Sequence, residues 1–252
     1  MRLPGFIPEE LRQLARFVPT TGWDAIEWRP MLSAMRQVSW QFMTGRGVRK
    51  LRRATAETVS AVTLTDDRYD AEPLQDIQDP DRLQALGDDI LHLYFGQWLV
   101  DDGLFLDLRP ARFGARDNEL LYEPNGLWIQ LRSEFREGMV ALYRSFYSDD
   151  ESAFEDALRQ MGMLKPELSQ SAESELKELL HAHFGVDQSA QVFRIDDFKE
   201  SFDELFAFFI ANDYKLHSDF VFVGFYLITL YLTLEQGGQP HDTRRICSDV
   251  ML

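Results

Sequence analysis

The amino-acid sequence predicts a mainly α domain of the α+β class, with a small β element before its middle. Apolar residues recur at a spacing of three to four along most of the chain, which is typical of amphipathic helices. Strand-like patterns are confined to residues 58–64 and 119–131. With 45% hydrophobic and 13% aromatic residues, the chain has the composition of a folded protein that can bury a sizeable core.

The apolar spacing defines the predicted helices, and capping residues mark their ends. Asp79-Pro80, for example, supplies an N-cap and a first-turn proline. The predicted helices are 8–17, 30–43, 80–100, 132–147, 150–162, 170–183, 197–211 and 218–235. The last is the most apolar, but its apolar part spans only roughly 22 Å against about 30 Å for a bilayer core. We therefore expect it to be a buried core helix.

The β element is predicted as a hairpin. The segments 119–122 and 127–131 flank Asn125-Gly126, and an Asn-Gly pair between two apolar runs is a strong hairpin signal. After Gly237-Gly238 the sequence is polar, so we expect residues 237–252 to form a mobile tail.

The charge and the cysteine content limit the function classes. A net charge of −16 argues against nucleic-acid binding, which relies on neutralising phosphates. The single Cys247 excludes an internal disulfide framework and fits a reducing compartment, and the N-terminus lacks the pattern of a signal peptide. We therefore expect a cytoplasmic protein.

One stretch departs from the acidic composition. It contains five basic residues, Arg46, Arg49, Lys50, Arg52 and Arg53. The run either contacts anionic lipid, which would make the protein membrane-peripheral, or binds an acidic partner, or forms a solvated face.

The segment most typical of an active site is 100–113, Val-Asp-Asp-Gly-Leu-Phe-Leu-Asp-Leu-Arg-Pro-Ala-Arg-Phe. Two later segments accompany it: 141–154, Ala-Leu-Tyr-Arg-Ser-Phe-Tyr-Ser-Asp-Asp-Glu-Ser-Ala-Phe, and 161–164, Met-Gly-Met-Leu. In order and spacing they resemble the C-terminal lobe of the UbiB/AarF family of atypical kinase-like proteins. In that family a helix ending in Asp-Gly leads to a catalytic loop F-H-A-D-P-H-P-G-N, a strand, D-F-G and a helix L-Y-x6-D-x3-F.

The resemblance covers roughly residues 62–234. It implies a kinase-like C-lobe with a reduced or absent N-lobe, so we expect no five-stranded N-lobe before residue 80. It divides the chain into an unmatched helical segment (1–60), a degenerate kinase-like domain (61–236) and the tail (237–252).

The resemblance places Asp107 at the position of the catalytic base. Arg112 stands where the family has a metal-binding asparagine, and Arg109 stands at a histidine position. The segment matched to D-F-G, Leu-Trp-Ile-Gln-Leu at 127–131, contains no aspartate. Before Asp107 the sequence has a single lysine, Lys50, which does not lie in an apolar strand. Because phosphoryl transfer needs these groups, the resemblance implies a pseudoenzyme.

Three hypotheses follow. The first is a pseudokinase with a regulatory or assembly role, linked by the resemblance to isoprenoid-quinone or lipid metabolism. The second is an unorthodox phosphotransferase or ATPase that uses Asp107 and binds ATP without Mg²⁺ or with weakly bound Mg²⁺. The third is a helical interaction module that pairs with an intact kinase-like protein, and a protein partner is expected in any case.

Two further predictions concern an anion site and a metal site, and each depends on residues close together in the sequence. Arg109 and Arg112 either bind an anion such as a nucleotide phosphate or pair with nearby acids. No metal site is predicted, because His181 and His183 are two residues apart and do not share a helix face.

Overall fold

The computed structural model describes residues 5, 7–18, 22–49, 62–66, 70–100, 103–184 and 190–251. Helices dominate this part of the chain and the strands are short, which confirms the mainly α prediction with a small β contribution. The helices are α1 Glu9–Leu14, α2 Trp28–Met43, α3 Pro80–Trp98, α4 Ser133–Tyr147, α5 Glu151–Gln160, α6 Gln170–Phe184, α7 Ile195–Ala211, α8 Ser218–Gly237 and α9 Thr243–Met251.

Where an aspartate caps a helix, the predicted start agrees with the observed one to within one residue. Asp79 accepts a hydrogen bond from the backbone N–H of Asp81 at 3.1 Å, with Pro80 in the first turn of α3. Asp150 caps α5 in the same way through the N–H of Ala153. Short 3₁₀ turns lie at Ala15–Phe17, Gly22–Ala25, Leu74–Asp76 and Pro110–Arg112.

The strands form three small sheets. They are β1 Thr63–Leu64, β2 Leu104–Phe105, β3 Phe113–Arg116, β4 Glu119–Tyr122, β5 Trp128–Ile129, β6 Gln191–Val192 and β7 Pro240–His241. β4 lies between β1, which is parallel to it, and β3, which is antiparallel. β2 pairs with β5 and β6 pairs with β7, both antiparallel.

The predicted hairpin around Asn125-Gly126 is wrong, although both of its strands exist. β4 pairs backwards with β3 through a turn at Asp117-Asn118, where Asp117 has a φ of 53°. Aspartate and asparagine tolerate this left-handed conformation, so the pair serves as the turn. β5 instead pairs with β2, and the Asn125 side chain hydrogen-bonds within the loop described below.

The core is organised around α8. This helix is long and apolar enough to cross a membrane, yet 78% of its most apolar window is buried inside the protein. The prediction of a core helix is therefore confirmed. Gly224 allows the close approach of α7, because a Cβ at this position would lie 2.4 Å from the ring of Phe202.

Both ends of the described chain join the same core. α1 and α2 pack against α8, so the segment expected to be unmatched, 1–60, contributes to the central core through these two helices. The expectation of a mobile tail after residue 237 requires correction. α9 packs on α3 and α4 and buries Ile246, Cys247 and Met251, because these three residues form one apolar face of a short helix.

Two predictions fall wholly or partly outside the described residues. Lys50, Arg52 and Arg53 of the basic run lie outside them, as do residues 58–61 of the predicted first strand. Before residue 80 the described chain contains one strand, β1, so the described part holds no five-stranded lobe.

Candidate functional site

The loop at 103–112 begins at a fixed point. Gly103 has a φ of 124°, and a Cβ there would lie 2.0 Å from the carbonyl oxygen of Ile129 in β5. Only glycine fits this close approach at this backbone angle. The backbone N–H of Phe105 then donates a hydrogen bond of 2.7 Å to the side-chain oxygen of Gln97, at the end of α3. The helix end and the start of the loop therefore hold each other in place.

The middle of the loop is held by α8. The Thr229 hydroxyl accepts a hydrogen bond from the N–H of Leu108 at 3.1 Å and lies 3.1 Å from the carbonyl oxygen of Leu106. One turn later, the Thr233 hydroxyl donates to the carbonyl of Leu108. Both threonines are buried in an otherwise apolar helix. Their polar groups are satisfied by the loop, so these residues position its backbone.

Asp107 occupies the centre of the site and is only 1% exposed. Arg109 contacts both carboxylate oxygens, with Nε 2.7 Å from Oδ1 and Nη2 2.7 Å from Oδ2. Arg112 Nε lies 3.3 Å from Oδ2, and the Asn125 amide donates to the same oxygen. We call Asp107, Arg109, Arg112 and Asn125 the Asp107 cluster. It has the forked geometry that stabilises a buried carboxylate.

The surroundings complete the cluster. The Tyr122 hydroxyl donates to the backbone carbonyl of Asp107 at 2.9 Å, and burial raises the pKa of Tyr122 well above its usual range. Arg109 Nη1 donates to the side-chain oxygen of Gln13 in α1 at 2.8 Å. Hydrogen bonding to Asp107 raises the pKa of Arg109, so this guanidinium stays charged. The N-terminal helix is therefore tied to the loop.

The cluster does not offer Asp107 as a general base. A base must reach the proton that it removes, and both oxygens of this buried carboxylate already accept hydrogen bonds from neighbouring side chains. The nearby cleft is also a poor anion site. Glu9 and Glu10 line it together with Arg109 and Arg112, and Asp107 already pairs with both arginines. The geometry therefore favours the paired-charge alternative for these residues.

The sequence-predicted residues Asp107, Arg109 and Arg112 do come together in the structure. Sequence reasoning missed Asn125, Tyr122 and Gln13. The strong turn preference of Asn-Gly predicts a hairpin turn at Asn125 and gives no sign of its contact with Asp107. The parallel ladder of β1 and β4 and the contact from α1 span long sequence separations, so no local pattern indicates them.

The glycines of the Gly45-Arg46-Gly47 segment have structural roles. Gly45 has a φ of 61°, and a Cβ on Gly47 would lie 2.5 Å from the carbonyl oxygen of Gly126. The segment thus packs directly under the loop that carries Asn125. Among the described residues no group of three or more His, Cys, Asp and Glu side chains could hold a metal ion.

Comparison with protein-family models and with curated proteins found no match for this chain.

Proposed function

We propose that this chain is a non-catalytic kinase-like protein of the UbiB/AarF type that acts in regulation or assembly. The observation that carries the proposal is the Asp107 cluster. In an enzyme of this type the aspartate of the loop must be open to a substrate hydroxyl. Here it is buried and paired with Arg109 and Arg112, so it acts as a structural anchor for the loop.

The positions of the neighbours support the same proposal. In the resemblance Arg112 takes the place of a metal-binding asparagine. Asn125 lies just before the segment 127–131, which the resemblance matches to D-F-G. Both side chains meet Oδ2 of Asp107. A fixed guanidinium beside this oxygen opposes a second cation, because like charges a few ångströms apart repel. We infer that the protein supplies the positive charge that Mg²⁺ supplies in phosphoryl transfer.

A thermal-shift titration tests this proposal. We expect the melting temperature to stay unchanged with millimolar ATP or ADP, with and without Mg²⁺. Stabilisation that requires Mg²⁺ and disappears in Asp107→Asn would instead support the unorthodox phosphotransferase. Inorganic phosphate is the matched probe for an anion site, and stabilisation by phosphate that is lost in Arg112→Gln would show that the arginines bind anions.

The regulatory or assembly role requires a partner. The resemblance points to an intact kinase-like protein, in a process linked to isoprenoid-quinone or lipid metabolism. Co-expression of the two chains followed by size-exclusion chromatography would test this. Co-elution that survives in Asp107→Asn would support assembly without catalysis, and separate elution at micromolar concentration would contradict the pairing.

A second proposal rests on the outer face of α2. Trp40 and Met43 are the most exposed large apolar side chains described, at 56% and 68% exposure. Arg29 at the start of α2 and Arg46 just after its end are also exposed. From residue 28 to residue 56 the sequence contains no acid, although the whole chain carries a charge of −16. Tryptophan prefers the membrane interface, and each basic residue near an anionic surface contributes about 1 kcal/mol.

We propose that this face binds the surface of an anionic bilayer, which makes the protein membrane-peripheral. In vesicle sedimentation we expect binding to vesicles with anionic lipid and little binding to zwitterionic ones. Trp40→Ser with Met43→Ser should lower binding severalfold. Ile210→Ser is the matched control, because Ile210 is also exposed but lies on α7. Equal binding by both variants would contradict the proposal.

A further inference from the structure

A second polar site lies far from the Asp107 loop in sequence, where the ends of α4 and α6 meet the starts of α5 and α9. It is a cavity of about 360 Å³, which is within the range of small-molecule sites. Its inner wall is mostly aromatic and is formed by Tyr147, Phe184, Phe198 and Tyr231. A narrow apolar recess continues from it towards Tyr94, Tyr143 and Leu230. We call this space the His183 cavity, after its central polar side chain.

His183 carries an unused acceptor. The side chain is 8% exposed, and its Nδ1 lies 2.8 Å from the hydroxyl of Ser201. The Ser201 hydroxyl also lies 3.0 Å from the carbonyl oxygen of Phe198, and when it donates its single proton there it accepts from Nδ1 of His183. In this arrangement Nδ1 carries the ring proton and Nε2 is a lone-pair acceptor. Nε2 has no hydrogen-bond partner among the described residues.

Thr243 adds a second unsatisfied group. Its hydroxyl oxygen is buried and makes no hydrogen bond within the described structure, although Thr243 lines the cavity and its recess. Buried polar atoms normally have partners, because an unpaired one costs about 1–3 kcal/mol. The buried Thr243 hydroxyl and Nε2 of His183 are therefore two groups at one cavity to which a ligand can bond.

The charges around the cavity restrict the ligand. Its rim carries Asp149, Asp150, Glu151 and Asp197 against Arg194 and Arg244. Asp149 and Arg244 pair with each other at 3.0 Å. The excess of acids disfavours phosphates and carboxylates. Burial lowers the pKa of His183 to about 4, so the imidazole is neutral at pH 7 and does not attract an anion.

We propose that the His183 cavity binds a small neutral aromatic molecule that bears one N–H or O–H donor. The donor group bonds to Nε2 of His183, and the ring packs between Phe184, Phe198 and Tyr231. Aromatic rings in edge or offset contact supply the packing, and the neutral acceptor selects ligands with a donor over ligands of the same shape without one. The proposal is independent of the kinase-like assignment.

The test compares indole with indene, which has nearly the same shape but no N–H. In isothermal titration calorimetry at pH 7 we expect the wild-type chain to bind indole at least fivefold more tightly than indene. In His183→Leu the preference should fall to about one while indene still binds. Benzoate, an aromatic anion of similar size, should bind neither protein. Ile210→Ser, at an exposed position on α7 outside the cavity, should leave every affinity unchanged.

A measurement on the wild-type chain covers the case in which His183→Leu does not fold. Long-range ¹H–¹⁵N spectra report on the two imidazole nitrogens, and indole should move the Nε2 signal of His183 whereas indene should not. Equal affinity for indole and indene, a preference that survives in His183→Leu, or no binding of indole up to its solubility would each overturn the proposal.

Discussion

The Asp107 cluster and the His183 cavity are both buried polar sites in one fold, yet their central side chains, Asp107 and His183, differ in how fully they are hydrogen-bonded. In the cluster, Asp107 meets two arginines and an asparagine, and both carboxylate oxygens are used. In the cavity, Nε2 of His183 and the hydroxyl of Thr243 have no partner within the described chain. The first region resembles an active site in sequence, and the second carries no motif at all.

This contrast shows why motif position and chemical availability must be separated. A buried carboxylate surrounded by its own cations has no free lone pair for substrate, wherever a family alignment places it. A histidine that is fixed by one neighbour and open on its other nitrogen can still bind. Because Asp107 is fully hydrogen-bonded and His183 is not, we infer a structural role for the Asp107 loop and a binding role for the His183 cavity.

The largest expected effect comes from Asp107→Ala. Removing the acid leaves Arg109 and Arg112 beside each other in a buried site, so the free energy of unfolding should fall by about 3–5 kcal/mol. Equilibrium urea unfolding measures this. Glu204→Ala, which removes an exposed acid from α7, is the matched control and should change stability by less than about 0.5 kcal/mol.

An active site would behave differently. Catalytic groups are commonly held at a cost to stability, so their removal leaves stability unchanged or raises it. If Asp107→Ala melts at or above the wild-type temperature, the structural role of the cluster is wrong and the comparison with the cavity fails.

The second effect is a pH dependence set by His183. Its pKa in the folded protein is about 4, below the value of 6.5 for an unperturbed histidine. Between these values the unfolded chain binds a proton that the folded chain does not, so stability falls as the pH drops from about 6.5 to 4. The loss is about 3 kcal/mol at most. Urea unfolding across this pH range would measure it.

The pH profile of the wild type must be compared with that of His183→Leu, because Asp89 also titrates in this pH range. Burial raises its pKa to about 6, so it stabilises the folded state as pH falls and opposes His183. Subtracting the pH profile of His183→Leu from that of the wild type removes the contribution of Asp89. Parallel profiles would mean that the imidazole is not held neutral in the cavity.

The sequence predicts the helical fold well because caps and apolar spacing are local. α3 begins at the predicted Asp79-Pro80 signal, and α8 is the predicted core helix. The site is predicted only in part. Asp107, Arg109 and Arg112 share one loop and were found, whereas Asn125 and Gln13 reach it through pairings and packing between distant segments.

The cavity could not be read from the sequence at all. In the sequence, His181 and His183 look like a weak metal-binding motif. In the structure the two side chains have different environments on α6. His181 pairs with Glu151 at 3.3 Å near the rim, and His183 is buried. The packing of α6 against α7 brings Ser201 to Nδ1 of the His183 ring, and Nε2 is left without a partner among the described residues.

Thr229 and Thr233 hold the Asp107 loop through hydrogen bonds to different backbone groups of Leu108. Thr229→Val removes the acceptor of the Leu108 N–H and leaves this buried donor unpaired, so stability should fall by about 1–3 kcal/mol. Thr233→Val removes only a donor to a carbonyl, and carbonyls tolerate loss of one partner better than N–H groups do. Thermal unfolding should rank the two variants in this order. A larger effect for Thr233→Val would mean that the N–H of Leu108 is not the critical contact.

The smallest effect should come from Ser201→Ala, and it bears most directly on the cavity. In the proposed arrangement Ser201 accepts from Nδ1 of His183 and donates to the carbonyl of Phe198, which keeps the ring proton on Nδ1. Its removal should cost about 1 kcal/mol of stability. Ser174→Ala is the matched control, because Ser174 bonds only to a carbonyl of its own helix at an exposed position.

The tautomer of His183 in Ser201→Ala is more informative than the loss of stability in this variant. Long-range ¹H–¹⁵N spectra should show a proton on Nδ1 in the wild type and in Ser174→Ala, and a mixture of tautomers in Ser201→Ala. Because the Nε2–H form has no lone pair to offer at that atom, the preference for indole over indene should weaken in the same variant. A wild-type ring protonated on Nε2 would place a donor in the cavity and would overturn the proposed donor-bearing ligand.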